Sequence, residues 1–175
     1  MRAENSLGSF SAAQRPLLTR RATFLAAVVH CDRLFLMYEV FEHTADLGLR
    51  MRAGSLDELF ADAGRGLIAQ LANLSAVRPV SVKTITLQNE SLEFLLFDWL
   101  SELLFAFEES HLLLADFEVR ISHEDGKYHL AATCRGETAD YARHELDHEV
   151  KAITYHGLFV RQNCDEWEAE VIVDI

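Results

Sequence analysis

The sequence predicts a two-layer α+β fold, with two α-helices packed on one face of a mixed or antiparallel β-sheet. Three observations carry this expectation. Two stretches repeat apolar residues at helical spacing. Several others alternate apolar and polar residues. Asp125-Gly126 stands between two of the alternating runs as a hairpin signal. The chain has 175 residues, the length of one domain, and half of them are hydrophobic, enough for a sizeable core.

The first patterned stretch is "YEVFEHTADLGLR", which reads as a strand with Phe41, Ala45, Leu47 and Leu49 on one side. Asp46 sits among them, and a carboxylate in apolar company needs a partner. "SLDELFADAGRGLIAQLANL" predicts the first helix. Ser55 and Glu58 form a capping box at its start, and Leu56, Leu59, Phe60, Ala63, Leu67, Ile68 and Leu71 fall on one face. Gly64 and Gly66 each weaken a helix by about 1 kcal/mol relative to Ala, so close packing is expected there. "NESLEFLLFDWLSELLFAFEES" predicts the second helix, apolar over most of its circumference and therefore buried. Its polar exception is a stripe of Asp98, Ser101, Glu102 and Glu109, read either as a solvated face or as an acidic ridge for a partner.

Strands follow. "VSVKTITL" is poorly patterned. "FEVRIS" places Phe117, Val119 and Ile121 on one side, and "YHLAATC" does the same with Tyr128, Leu130, Ala132 and Cys134. "EVKAITYHGLFV" reads as one long extended run. "NCDE" then turns into "WEAEVIVDI", in which Trp167, Ala169, Val171, Val173 and Ile175 alternate with Glu168, Glu170, Ile172 and Asp174.

The charge is uneven. The whole chain is −12, yet residues 1–36 hold Arg2, Arg15, Arg20, Arg21 and Arg33 against only Glu4 and Asp32. The acidic excess therefore lies wholly in residues 37–175. Such a domain is ill suited to grip phosphate, so any RNA should be held by a basic partner. Residues 1–36 are expected to be a disordered extension or the product of a start assigned too early, with Met37 as the alternative start. Three cysteines without C-x-x-C spacing argue against a disulfide framework and suggest a reducing cytoplasm. No uncharged apolar run of about 18 residues suggests a spanning helix.

Candidate chemistry is sparse. The chain shows no G-x-S-x-G, no Gly-rich phosphate loop and no H-E-x-x-H. His43 and Asp46 could begin a metal site or an acid/base pair, or form a hydrogen-bonded structural pair. Asp174 and the terminal carboxylate lie one residue apart at the end of the last strand. Carboxylates crowded into one place repel unless a cation joins them, and oxygen ligands suit calcium or magnesium. "RHELDHEVKAITYHG" gathers Arg143, His144, Glu145, Asp147, His148, Glu149, Lys151 and His156, either as a site or as a charged loop entering a strand.

Four segments taken together, "YEVFEHTADLGLR", "LFDWLSELLFAFE", "HEVKAITYHGL" and the terminal "VIVDI", resemble the archease family over residues 38–175. The resemblance implies a small sheet-plus-two-helix protein. It also implies a cytoplasmic, non-catalytic cofactor of the RtcB-type RNA ligase, which joins 3′-phosphate or 2′,3′-cyclic phosphate ends to 5′-hydroxyl ends in tRNA splicing. The cofactor would promote ligase guanylylation and multiple turnover, and would meet RNA only through the ligase. The family's metal site maps onto Asp46, Asp174 and the main-chain oxygen of Ile175. The implied ion is divalent: calcium first, with magnesium, manganese or zinc as alternatives. The same resemblance points to Glu149 and Lys151 as partner-facing residues. Two other functions compete: a small metal-dependent hydrolase using Asp46, Asp174 and His43, and a general chaperone-like binding module.

Overall fold

The computed structural model describes residues 38–43, 46–146 and 149–175. The chain runs β1 (Tyr38–His43), β2 (Asp46–Ala53), α1 (Leu56–Leu71), a short 3-10 turn (Leu74–Ala76), β3 (Ser81–Asn89), α2 (Leu92–Ser110), β4 (Leu112–Glu124), β5 (Lys127–Thr138), β6 (Ala152–Asn163) and β7 (Glu166–Asp174). The expected α+β class with two helices and antiparallel strand pairing holds. The strands divide into two sheets, of order β1-β2-β7-β6 and β3-β5-β4. Alternation shows which side chains share a face but not which strands pair, so this division was not readable beforehand.

Both helices touch strands of both sheets. α1 is consequently buried nearly all round, beyond the single apolar face its periodicity implied. The Ser55 hydroxyl caps it by accepting the Glu58 N–H at 3.2 Å, as the capping signature predicts. Gly64 lets α1 approach its neighbours: a Cβ there would lie 3.1 Å from Leu103 of α2 and 3.3 Å from Phe117 of β4. Trp99 of α2 is fully buried, and its indole N–H donates to the Phe60 carbonyl at 2.9 Å, tying the helices together. The outer strand β4 is closed by α1 as well. Asp57, in the helix's first turn, accepts the Ile121 N–H at 2.7 Å, which satisfies a backbone donor on an edge strand.

The β4–β5 hairpin follows its turn chemistry. Asp125 and Gly126 both adopt positive φ, 50° and 76°, the left-handed pair that a tight β4–β5 turn requires. β6 departs from the expected continuous run. It begins at Ala152, and its register with β7 slips between Thr154 and Phe159, where Gly157 takes φ 66°. The physical cause is legible in the pairing. Five steps along β6 are matched by two along β7, so Tyr155 to Leu158 bulge away from the ladder.

Candidate functional site

β2 lies between β1 and β7, and its register sets the site. Leu47, Leu49 and Met51 pair with Val173, Val171 and Ala169, and this face packs into the core. The opposite face carries Asp46, Gly48, Arg50 and Arg52 across from Asp174, Ile172, Glu170 and Glu168. That face is a ladder of charges. The Arg50 guanidinium donates to Glu170 at 2.7 and 2.9 Å. Arg52 reaches Glu168 at 3.0 Å, and Arg161 of β6 reaches the same carboxylate at 2.7 Å. These hydrogen bonds, Arg161's the stronger, hold the Glu168 carboxyl below the usual carboxylate range.

Against this background Asp46 opposite Asp174 stands out. Among the described residues of the face, every other cross-strand pair of charged groups joins opposite signs, and this pair joins two carboxylates. Like charges directly opposite in an antiparallel pair destabilise it. Both aspartates are half-buried, and Asp46 is engaged in a contact beyond this pair. His43 stands opposite Asp46 on the other side, in backbone register. Thr44, Ala45, Asp147 and His148 lie outside the described residues.

The chain's last residue completes the edge. Lys151 donates its backbone N–H to the Asp174 carbonyl and its ammonium to the main-chain oxygen of Ile175, each at 2.8 Å. Lys151 and Glu149 therefore belong to the segment leading into β6, not to the strand itself. Val150 between them is buried and turns both flanking side chains outward. Asp46, Asp174, Ile175 and Lys151 thus share one edge of the four-stranded sheet, with Glu149 exposed beside it. Among the described residues, no three His, Cys, Asp or Glu side chains gather closely enough to hold a metal ion. A cation here would need the main-chain oxygen of Ile175 as well as the two aspartates.

The ionisable run ahead of this edge divides in two. Arg143 and His144 are structural. Arg143 donates to both oxygens of Glu137, at 2.9 and 2.6 Å, and to the Ala76 carbonyl at 2.8 Å. The Arg78 N–H adds a bond to Glu137 at 2.6 Å. Buried His144 accepts the Asp140 N–H on Nδ1 at 2.8 Å, and its Nε2 lies 3.4 Å from a Glu137 oxygen. Arg143 above all pulls the Glu137 carboxyl down to about 2. Sequence reasoning missed Glu137 because it lies at the end of β5, just outside the charged run, and nothing in its spacing marks it as the partner of Arg143.

A cleft of about 460 Å³ opens at the far end of β2, lined by Arg52, Asp57, Asp62, Arg65 and Arg120 among others. Two pairs of these charges meet within it: Arg65 with Asp62 at 2.8 Å and Arg120 with Asp57 at 3.1 Å. Cys134 is buried, and burial pushes its thiol up to about 12, which makes it inert as a nucleophile. No helix of the described residues is long and apolar enough to cross a membrane.

Comparison with known proteins identifies the family and the fold. Residues 38–175 match the family model described as the Archease protein family. Protein archease of Thermococcus gammatolerans is 36% identical over 139 residues, covering 79% of this chain and 98% of that protein. Protein archease of Pyrococcus abyssi is 37% identical with the same coverage. The solution structure of Methanobacterium thermoautotrophicum protein 1598 superimposes with a TM-score of 0.73 at 31% identity, over 80% of this chain and 99% of that one. The crystal structure of an archease from Thermotoga maritima has a TM-score of 0.51 at 21% identity, over 77% of this chain and 94% of that one, a likeness of fold. The match spans every strand and helix from β1 to β7, and the chain belongs to the archease family.

Proposed function

We propose that this protein is a non-catalytic activator of an RtcB-type RNA ligase, promoting guanylylation and multiple turnover in tRNA splicing, and that its carboxylate edge binds a divalent cation. The observation that carries the metal reading is the like-charged pair: Asp46 faces Asp174 in register, next to the main-chain oxygen of Ile175. The residues fit such an ion. The candidate ligands Asp46, Asp174 and Ile175 offer oxygens, which suits a hard cation, calcium foremost and magnesium or manganese next; zinc, which favours nitrogen and sulfur, fits these three less well. Asp46, Asp174 and the main-chain oxygen of Ile175 would hold it, and the ion would offset the repulsion between the two facing carboxylates. Glu149 and Lys151, exposed beside the edge, would face the partner.

The acidic balance supports a protein partner over RNA itself. A chain of net charge −12 repels phosphate but is drawn to a basic, RNA-holding surface. The Thermotoga maritima archease is described as a possible chaperone. The chaperone reading predicts binding to many unfolded clients without the ligase, and the hydrolase reading predicts turnover of phosphoesters by the protein alone. One experiment separates them: guanylylation of the ligase from the same organism, followed under single-turnover conditions with and without this protein. Stimulation by the wild type, lost in Asp46→Ala and Asp174→Ala, is the expected result. Unchanged rates with the wild type, or RNA turnover without ligase, would sink the activator reading.

A further inference from the structure

α2 presents aromatic rings to solvent where a helix with one buried face would carry polar residues. Phe94 is 51% exposed and Tyr155 of β6 is 55% exposed. The Tyr155 ring stacks on Phe97 with centroids 3.9 Å apart and planes at 13°. Phe94 meets the same tyrosine edge-on at 5.7 Å. Tyr155 reaches α2 from the β6 bulge, the irregular stretch between Thr154 and Phe159. The bulge therefore aims a ring at the helix and leaves one face of the cluster open.

Two carboxylates flank these rings. Helical spacing puts Glu93 four residues before Phe97 and Asp98 four residues after Phe94, so each acid adjoins one ring. The structure also reassigns the acidic stripe seen in the sequence. Asp98 accepts from Asn89 at 2.9 Å and Glu102 pairs with Lys83 at 3.1 Å, so the stripe is partly engaged within the molecule. The outward feature of this part of α2 is aromatic with an acidic border. It also adjoins the carboxylate edge: Ala152 pairs with Asp174, and Tyr155 lies three residues further on, roughly 10 Å along the strand.

We infer that Phe94, Phe97 and Tyr155 form a docking surface for an arginine-bearing segment of a protein partner. On the reading proposed above, that partner is the ligase, and the inference rests on it. A guanidinium stacks on an aromatic face while neighbouring carboxylates neutralise its charge. Nucleic acid is disfavoured because Glu93 and Asp98 repel phosphate. A second copy is disfavoured because this acidic border would meet itself. The rings would anchor the partner and bring its reacting centre to the carboxylate edge, dividing affinity from chemistry between two adjacent patches.

The test measures binding, by calorimetry, between the full chain and the RtcB-type ligase of the same organism. Phe94→Ser with Tyr155→Ser should weaken association at least tenfold, because exposed aromatic anchors dominate such interfaces. Glu93→Lys, which leaves the ring stack intact, should also weaken it. Calcium-induced thermal shifts should be the same in these variants as in the wild type. Wild-type affinity in both the double variant and Glu93→Lys would overturn the docking surface while leaving the activator reading standing. Absence of any wild-type binding would overturn both. A change in self-association without a change in ligase binding would show that a second copy occupies the patch and would overturn the inference.

Discussion

At the scale of single residues, carboxylates in this molecule follow their neighbours. Glu137 receives Arg143 and the Arg78 N–H, and its carboxyl falls from the ordinary 4.5 to about 2. A carboxylate whose folded value is depressed contributes stability that is fully present above its unfolded value and disappears as pH falls through the folded one. The window is therefore from about 4.5 down to about 2. Glu137→Gln should be clearly less stable than the wild type at pH 7 in urea melts. The gap should narrow as pH falls toward the bottom of that window, since protonation then does to the wild type what the substitution has already done. A gap that stays constant with pH would show that Glu137 acts through packing alone.

Asp46 presents the opposite case, a carboxylate set against another. Asp46→Asn removes one of the two facing charges. Without divalent ions the variant loses the facing like charge together with the further contact of Asp46, and its melting temperature sets the baseline for the calcium shift. Calcium should raise the melting temperature of the wild type more than that of the variant. A ligand bound only by the native state stabilises it by mass action, about 2.7 kcal/mol at a hundredfold excess over Kd, and the variant lacks a donor. Lys151→Met should tighten calcium binding, because the ammonium on the Ile175 oxygen at 2.8 Å no longer opposes a second cation. Equal calcium shifts in the wild type and Asp46→Asn would remove Asp46 from the site.

At the scale of elements, local chemistry and long-range packing contribute differently. Helix starts, the Asp125-Gly126 hairpin and the alternation of β7 were all legible, because each depends on residues a few positions apart. The position of Gly136 was not. It lies on β5 where β4 shifts register between Leu114 and Asp116, and a Cβ added to it would come 1.8 Å from the Leu113 carbonyl oxygen. The obstacle is backbone in a paired strand, which cannot swing aside as a side chain can. Gly136→Ala should cost at least the ~1–3 kcal/mol typical of overpacking. A lower urea midpoint with an unchanged slope would establish this; a midpoint within error of the wild type would mean that the β4 irregularity absorbs the methyl group.

For the whole molecule, topology decides which residues meet, and most of the candidate site depended on it. Asp46 and Asp174 were visible as unusual residues on two strands, but 127 positions of chain separate the partners that β2 and β7 bring opposite each other. Only the resemblance to a family joined them beforehand. The split of the 143–151 run was likewise hidden, since Arg143 is claimed by Glu137 of β5 and Lys151 by the chain end.

Net charge, by contrast, needs no structure, and it leads to a molecule-wide prediction. At −12 the protein sets up a negative field over its surface, and a basic, RNA-holding ligase would be steered toward it from beyond contact distance. Screening acts on that long-range attraction, with a Debye length of about 10 Å at 0.1 M salt and about 3 Å at 1 M. Raising salt should therefore slow association of the two proteins by about tenfold or more. Dissociation should change much less if the inferred aromatic contact at Tyr155 holds the complex together at short range. Stopped-flow association and dissociation rates measured across a salt series would separate the two. An association rate indifferent to salt would show that the acidic surface serves solubility and does not draw the partner in.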